Sequence, residues 1–290
     1  MTQIRLVRTK AEIHELHDGV RNWGGLVGLV PTMGYLHAGH LSLMTAARSR
    51  CDHVTATLFV NPLQFAPTED LASYPRDLDR DLALAEQAGV DVMFAPDVEE
   101  MYPDGSPLTT VSVAQLDARW EGVSRPGHFV GVATVVAKLF SIAGPCLAFF
   151  GEKDYQQLQV VRRMAADLDL RVEVVGCPTV REPDGLALSS RNVYLERDER
   201  RAALCLRRAL DTAIAAVERG ERRAEAVTAT MVAVVGAEPL AELDYAALVD
   251  PATLEPATTP LQPGRELRLL ITARVGRPRL LDNAAVTVPV

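Results

Sequence analysis

His37 and His40, three positions apart with Gly39 between them, sit in the stretch Pro31-Thr32-Met33-Gly34-Tyr35-Leu36-His37-Ala38-Gly39-His40-Leu41. An apolar run, Leu26 to Val30, precedes it, and a segment with helical patterning follows. A strand feeding a turn and then a helix creates a phosphate site. The first helical amides have no partner within the helix, and the helix dipole adds partial positive charge. Histidines three apart near that terminus share one face and can both reach a phosphate. Gly39 leaves room for a base or ribose to approach the backbone.

Other side chains could complete such a site. Lys153 follows the apolar run Cys146–Phe150 and Gly151, where a cation can aim into a strand-end crevice, and Asp154 can cap the helix beyond. Leu188-Ser189-Ser190-Arg191-Asn192 sets two hydroxyls beside a guanidinium, a planar fork suited to phosphate oxygens. Gln64 and Gln157 both donate and accept hydrogen bonds without carrying charge, which suits a hydroxy acid. Taken singly, each of these also fits an ordinary polar surface. The sequence has no Gly-x-x-x-x-Gly-Lys-[Ser/Thr] loop, no Gly-x-Gly-x-x-Gly and no metal-ligand cluster.

The elements that must position these groups alternate through the first 180 residues. Strands are expected at Leu26–Val30, Val54–Val60, Val90–Phe94, Cys146–Phe150 and Val172–Val175. Helices are expected at His40–Arg50, Asp77–Ala88, Val132–Ile142 and Tyr155–Leu168. Uniformly apolar strands separated by amphipathic helices predict a doubly wound, Rossmann-like α/β domain with a parallel sheet, whose ligands gather at the carboxyl strand ends. The pattern changes near Val180, so the predicted domains are 1–179 and a smaller α+β domain, 180–290. In the latter, Glu182-Pro183-Asp184-Gly185 reads as a turn, Arg197–Arg219 as one long helix stopped by Gly220, and Leu243–Val249 and Glu266–Val275 as strands.

Composition narrows the classes. A net charge of -8 over 290 residues argues against a general nucleic-acid binder, which needs a basic face. Lys138, Gly144 and Pro145 interrupt the most hydrophobic region, Val130–Gly151, so a buried helix and strand are expected there and not a membrane span. The first residues lack the apolar core of a signal peptide. Cys51, Cys146, Cys177 and Cys205 are scattered and read as buried free thiols in a reducing, cytoplasmic setting.

In five blocks the sequence resembles the pantoate–β-alanine ligase family of the His-x-Gly-His nucleotidyltransferase superfamily. The blocks are Pro31–Leu43, Phe59–Phe65, Arg125–Phe129, Phe150–Gln157 and Arg181–Asn192, and weaker similarity continues through Thr272–Gly276 to Leu281–Asn283. The resemblance implies that (R)-pantoate attacks the α-phosphate of ATP to give pantoyl adenylate, which β-alanine then converts to pantothenate and AMP. It implies ATP contacts at Pro31–His40, with His37 and His40 on the phosphates and His40 as proton donor. It further implies nucleotide contacts at Gly151, Glu152, Lys153, Asp154 and Val180, with Lys153 on the α-phosphate and Leu188–Arg191 closing over the phosphates. Gln64 and Gln157 would hold pantoate. Mg²⁺ with ATP, and a homodimer, are further family expectations; no Mg²⁺ ligand is assigned.

Two departures stand out: Ala66 where the family has glycine, and Arg277-Pro278 near the end. The polar segment Thr68–Arg80 could form a lid that keeps water from an acyl adenylate. Two other readings stay open at this level. One is a sister nucleotidyltransferase acting on a phosphorylated substrate, which would call for extra cations where Gln64 and Gln157 stand. The other is a non-catalytic nucleotide-binding module, which would bind ATP without turnover.

Overall fold

Strand Val27–Val30 is buried at every position, a pattern a strand reaches only when both faces of its sheet are covered. The computed structural model describes residues 4–65, 71 and 74–290 of the chain. Ala66 and most of the first half of the expected lid, 68–70 with 72 and 73, lie outside the described residues.

The chain forms two compact units. The first runs through Glu152 and resumes at Gln156–Pro178; the second is Lys153–Tyr155 with Thr179–Val290. In chain order the first unit contains β1 (Arg5–Val7), α1 (Lys10–Asn22), β2 (Val27–Val30), α2 (Ala38–Arg50), β3 (His53–Thr57), α3 (Leu78–Gln87) and β4 (Val92–Phe94). It continues with α4 (Val98–Met101), α5 (Glu121–Ser124), α6 (His128–Ala143), β5 (Cys146–Gly151), most of α7 (Tyr155–Asp167) and β6 (Val172–Cys177). Its six strands are all parallel and lie in the order β1-β4-β3-β2-β5-β6. The order reverses between β2 and β5, and ligands of such sheets bind outside the carboxyl ends at that switch point.

The core explains the elements. Leu43, Met44 and Ala47 of α2 pack with Val30, Val54, Met93 and Phe149 from four strands. Gly28 lets α2 lie close to β2, because a Cβ there would stand 3.0 Å from Cys51 Sγ. Helix α6 is buried on nearly every side, and with β5 it accounts for the hydrophobic region at Val130–Gly151. Among the described residues no helix is long and apolar enough to cross a membrane. All four cysteines are buried free thiols, and burial pushes Cys146 up to about 12 and Cys205 up to about 11.

The second unit contains α8 (Arg197–Ala202), α9 (Cys205–Glu218), α10 (Ala224–Gly236) and the antiparallel sheet β7 (Ala241–Val249), β8 (Glu266–Val275) and β9 (Arg279–Thr287). Its core joins Leu206, Leu210 and Met231 of the helices to Leu269, Ile271 and Leu280 of the sheet. The single helix expected at Arg197–Arg219 is two. Near the break the bonds tighten to three-residue spacing, Leu204 N–H to Arg201 and Leu206 N–H to Ala203, while Ala202, Ala203, Cys205 and Leu206 are all buried. Packing, not helix propensity, sets that break. Strands β1 and β9 and helices α1 and α10 were not among the expected elements. β9 carries Asp282 and Asn283 at its middle, and α10 is rich in valine, which blurs its period.

Candidate active site

The polypeptide leaves β2 through a turn that inverts its backbone twice, at Gly34 (φ 90°) and Tyr35 (φ 52°). A left-handed tyrosine is costly unless neighbours hold it. Asp81 of α3 does so: its two carboxylate oxygens accept the amides of Tyr35 and Leu36, each at 2.7 Å. The carboxylate is almost fully buried, and Arg80 lies over the Tyr35 ring while donating to the Leu36 carbonyl at 2.9 Å. Thr32 supports the same turn by accepting the Gly34 amide.

His37 then caps α2. Its Nδ1 accepts the Gly39 amide at 3.1 Å, and His40 Nδ1 accepts the His37 amide at 3.3 Å. The two rings stack with centroids 4.0 Å apart. Because each Nδ1 is an acceptor, the proton of each neutral ring resides on Nε2. The helix terminus thus presents two imidazole donors of fixed tautomer in addition to its dipole. Leu36 is fully buried and Thr32 nearly so, so these two residues face the core while Met33, Tyr35, His37 and His40 are half-buried.

Gln64 lies on the short helical turn Pro62–Gln64 after β3. Its Nε2 donates to Met33 Sδ at 2.9 Å, and its Oε1 accepts from Asn61 Nδ2 at 3.2 Å. Asn61, almost fully buried, also accepts from the Tyr102 hydroxyl and donates to the Gly131 carbonyl. His128 Nδ1 bonds the Gln64 carbonyl at 2.9 Å. Gly131 admits this turn, since a Cβ there would come within 2.2 Å of the Leu63 carbonyl oxygen. A cavity of about 400 Å³ borders Met33, Tyr35, Phe59, Arg76 and Asp81, enough for a small ligand. Gly151 ends β5, Glu152 follows it, and Gln157 is half-buried in the first turns of α7.

Within the second unit, Lys153 is half-buried and its ammonium lies 3.3 Å from Asp154 Oδ1. Asn283 Nδ2 donates to the Lys153 carbonyl at 2.7 Å. The Val180–Arg191 segment is a hairpin-like loop: Leu188 N–H bonds the Val180 carbonyl, Arg181 pairs with Ala187, and Gly185 N–H closes the turn on Glu182. Ser189 Oγ accepts the Arg191 amide at 3.2 Å, so the serine-arginine pair is a folded unit. Ser190 and Arg191 open a short helical turn and both are half-buried.

Comparison with known proteins identifies the family. The pantoate-beta-alanine ligase family model matches residues 5–285. The chain belongs to that family. It is 53% identical to a pantothenate synthetase of Roseiflexus sp. over 98% of this chain and 99% of that one. The crystal structure of the Thermus thermophilus pantothenate synthetase superposes with a TM-score of 0.89 at 49% identity, covering 99% of this chain and all of that one. A pantoate-beta-alanine ligase from Francisella tularensis, complexed with beta-gamma ATP and β-alanine, gives 0.75 at 31% identity, covering 97% of both chains. The activity of this ligase is the joining of pantoate to β-alanine, with ATP as co-substrate. Transfer of AMP to a phosphorylated substrate is not favoured.

Sequence reasoning assigned no role to Asp81, Asn61 or Asn283, which bond the candidate segments, Asn61 from three residues away and the other two from far along the chain. Asn61 lay in the Phe59–Phe65 block and Asn283 in the weaker Leu281–Asn283 match, whereas Asp81 carried no signal.

Proposed function

We propose that His37, His40, Lys153 and Arg191 carry the charge of the adenylation step. A pantoate carboxylate oxygen bonds to the α-phosphorus of ATP as the bond to pyrophosphate breaks. Phosphoryl transfer depends on positioning and charge stabilisation, so two imidazole N–H donors and two cations suffice without a nucleophilic side chain. The β-alanine amine then attacks the acyl carbon and AMP leaves with the bonding electrons, the amine losing a proton. Gln64 and Gln157 hold pantoate. Pro31–His40, Gly151–Asp154, Val180 and Leu188–Arg191 line the nucleotide.

The observation that carries this reading is the pair of stacked, Nδ1-accepting histidines at the start of α2, beside the switch point of the sheet. Mg²⁺ accompanies ATP as its counter-ion. Such an ion usually keeps phosphate oxygens and waters as ligands, and no side chain is assigned to it. A cytoplasmic homodimer completes the reading, and sedimentation velocity tests its stoichiometry. The deciding assay follows pyrophosphate and AMP release from ATP and Mg²⁺ with pantoate, with and without β-alanine. Pyrophosphate with pantoate alone, then AMP and pantothenate on adding β-alanine, is the expected result. No turnover by folded protein that still binds ATP would defeat the proposed roles.

A further inference from the structure

Two adjacent residues of β9, Asp282 and Asn283, are buried to 4% and 3% exposure and are polar in the middle of a strand. Buried polar groups persist where their bonds are satisfied, and these two spend theirs on the cation-bearing segments. Asp282 accepts Arg181 in a two-pronged pair at 2.6 and 2.8 Å, and Arg181 also donates to the Gly185 carbonyl. That fastens the base of the loop that ends at Arg191. Asn283 donates from Nδ2 to the Lys153 carbonyl at 2.7 Å, while its Oδ1 accepts from Arg268 Nε at 2.8 Å and again from Arg268 Nη2.

The chemistry of the neighbours fixes the amide's direction. A guanidinium only donates and a carbonyl only accepts, so the asparagine cannot be flipped without losing both bonds. Arg268 itself is buried to 7% exposure and lies over the Tyr155 ring, 3.9 Å from its centroid. The site therefore requires one short side chain that accepts and donates at once. Aspartate has the shape but lacks the donor; leucine lacks both.

We propose that Asn283 is a positioning residue for adenylation: by holding the main chain of Lys153 it sets where the lysine ammonium meets developing phosphate charge. The proposal rests on the reading that Lys153 acts in that step. A cation displaced by about 1 Å loses of the order of 10²-fold in rate.

The test is a double-mutant cycle on the full chain, read as pyrophosphate release from ATP, Mg²⁺ and pantoate. Asn283→Asp keeps an acceptor for Arg268 but sets an oxygen against the Lys153 carbonyl, so some stability is lost, and a cooperative thermal transition above the assay temperature checks that the variant is folded. The expected result is a fall in kcat of about 10- to 100-fold, with KM for ATP and pantoate within about threefold. In the Lys153→Ala background the same substitution should cost nothing further, because the group it positions is gone. Equal losses in both backgrounds, or no loss in either, would overturn the proposal. Should Asn283→Asp fail to fold, Asn283→Ser enters the same cycle and is judged by the same two criteria. If Lys153→Ala alone leaves the rate unchanged, the lysine's role falls first and the positioning role with it. A large loss from Lys153→Ala with multiplicative Asn283 effects removes only the latter.

Discussion

The two histidines of the first unit and the two cations of the second are held in opposite ways. His37 and His40 each accept an amide two or three residues away, at Gly39 and His37. Lys153 is fixed through a carbonyl bonded to Asn283, 130 positions later, and the Arg191 loop through Asp282, 101 positions after Arg181. A cap is written into its own few residues. A long-range tether exists only once the sheet is built. A histidine-capped helix start is therefore recognisable as a motif, whereas the placement of Lys153 and Arg191 depends on folding of the whole second unit.

The largest effect should come from removing a local donor. His40→Ala is expected to slow adenylate formation by about 10²–10³, the usual loss for one transition-state donor. Pyrophosphate release at saturating pantoate measures it, and a near-normal rate would detach the cap from the chemistry.

Asp81→Asn probes a long-range support of the turn that leads into the local cap. It places an N–H₂ against one of the two amides of the Tyr35-Leu36 turn, so about 1–3 kcal/mol of stability and up to about 10²-fold in rate should go together. Denaturant titration and pyrophosphate release report the two. A stability loss without a rate loss would show that the turn does not aim the histidines.

His17 sharpens the contrast, being a histidine of the first unit held entirely at long range. Its ring bonds the Ala143 carbonyl at 3.1 Å and the Thr55 hydroxyl at 2.8 Å, and burial pushes it down to about 4 although the carbonyl bond opposes this. The unfolded chain, with its imidazole near 6.5, binds the proton more readily. Stability is thus fully present above pH 6.5 and lost as pH falls toward 4, by about 2 kcal/mol at pH 5. Denaturant midpoints at pH 7 and 5, compared with those of His17→Gln, isolate the term. An equal decline in both proteins would assign it elsewhere.

Gly131→Ala should have the smallest effect on the rate, while its clash with the Leu63 backbone costs about 1–3 kcal/mol of stability. The new methyl would press on the Leu63 carbonyl and on Gln64 Cα, 2.7 Å away, displacing the turn that bears Gln64. KM for pantoate should rise about tenfold with KM for ATP little changed. Equal rises for both would remove the pantoate-specific role of Gln64.

The sequence alone was enough for the parallel sheet, the strand-end location of the histidines and the buried character of Val130–Gly151. These follow from short-range periodicity: uniformly apolar strands, a helix start, a glycine between two rings. The Asp184-Gly185 turn was equally local, and it closes by the Gly185 to Glu182 bond. Only the tertiary structure decided the break between α8 and α9, the strand at Arg279–Thr287, and the work of Asp81 and Asn283. In sequence Asp81 is one acid in a charged run and Asn283 one amide beside Asp282 in an otherwise apolar stretch. Their roles arise from burial against amides and a carbonyl distant in sequence, where an unmet polar group is costly and a matched one is held firmly.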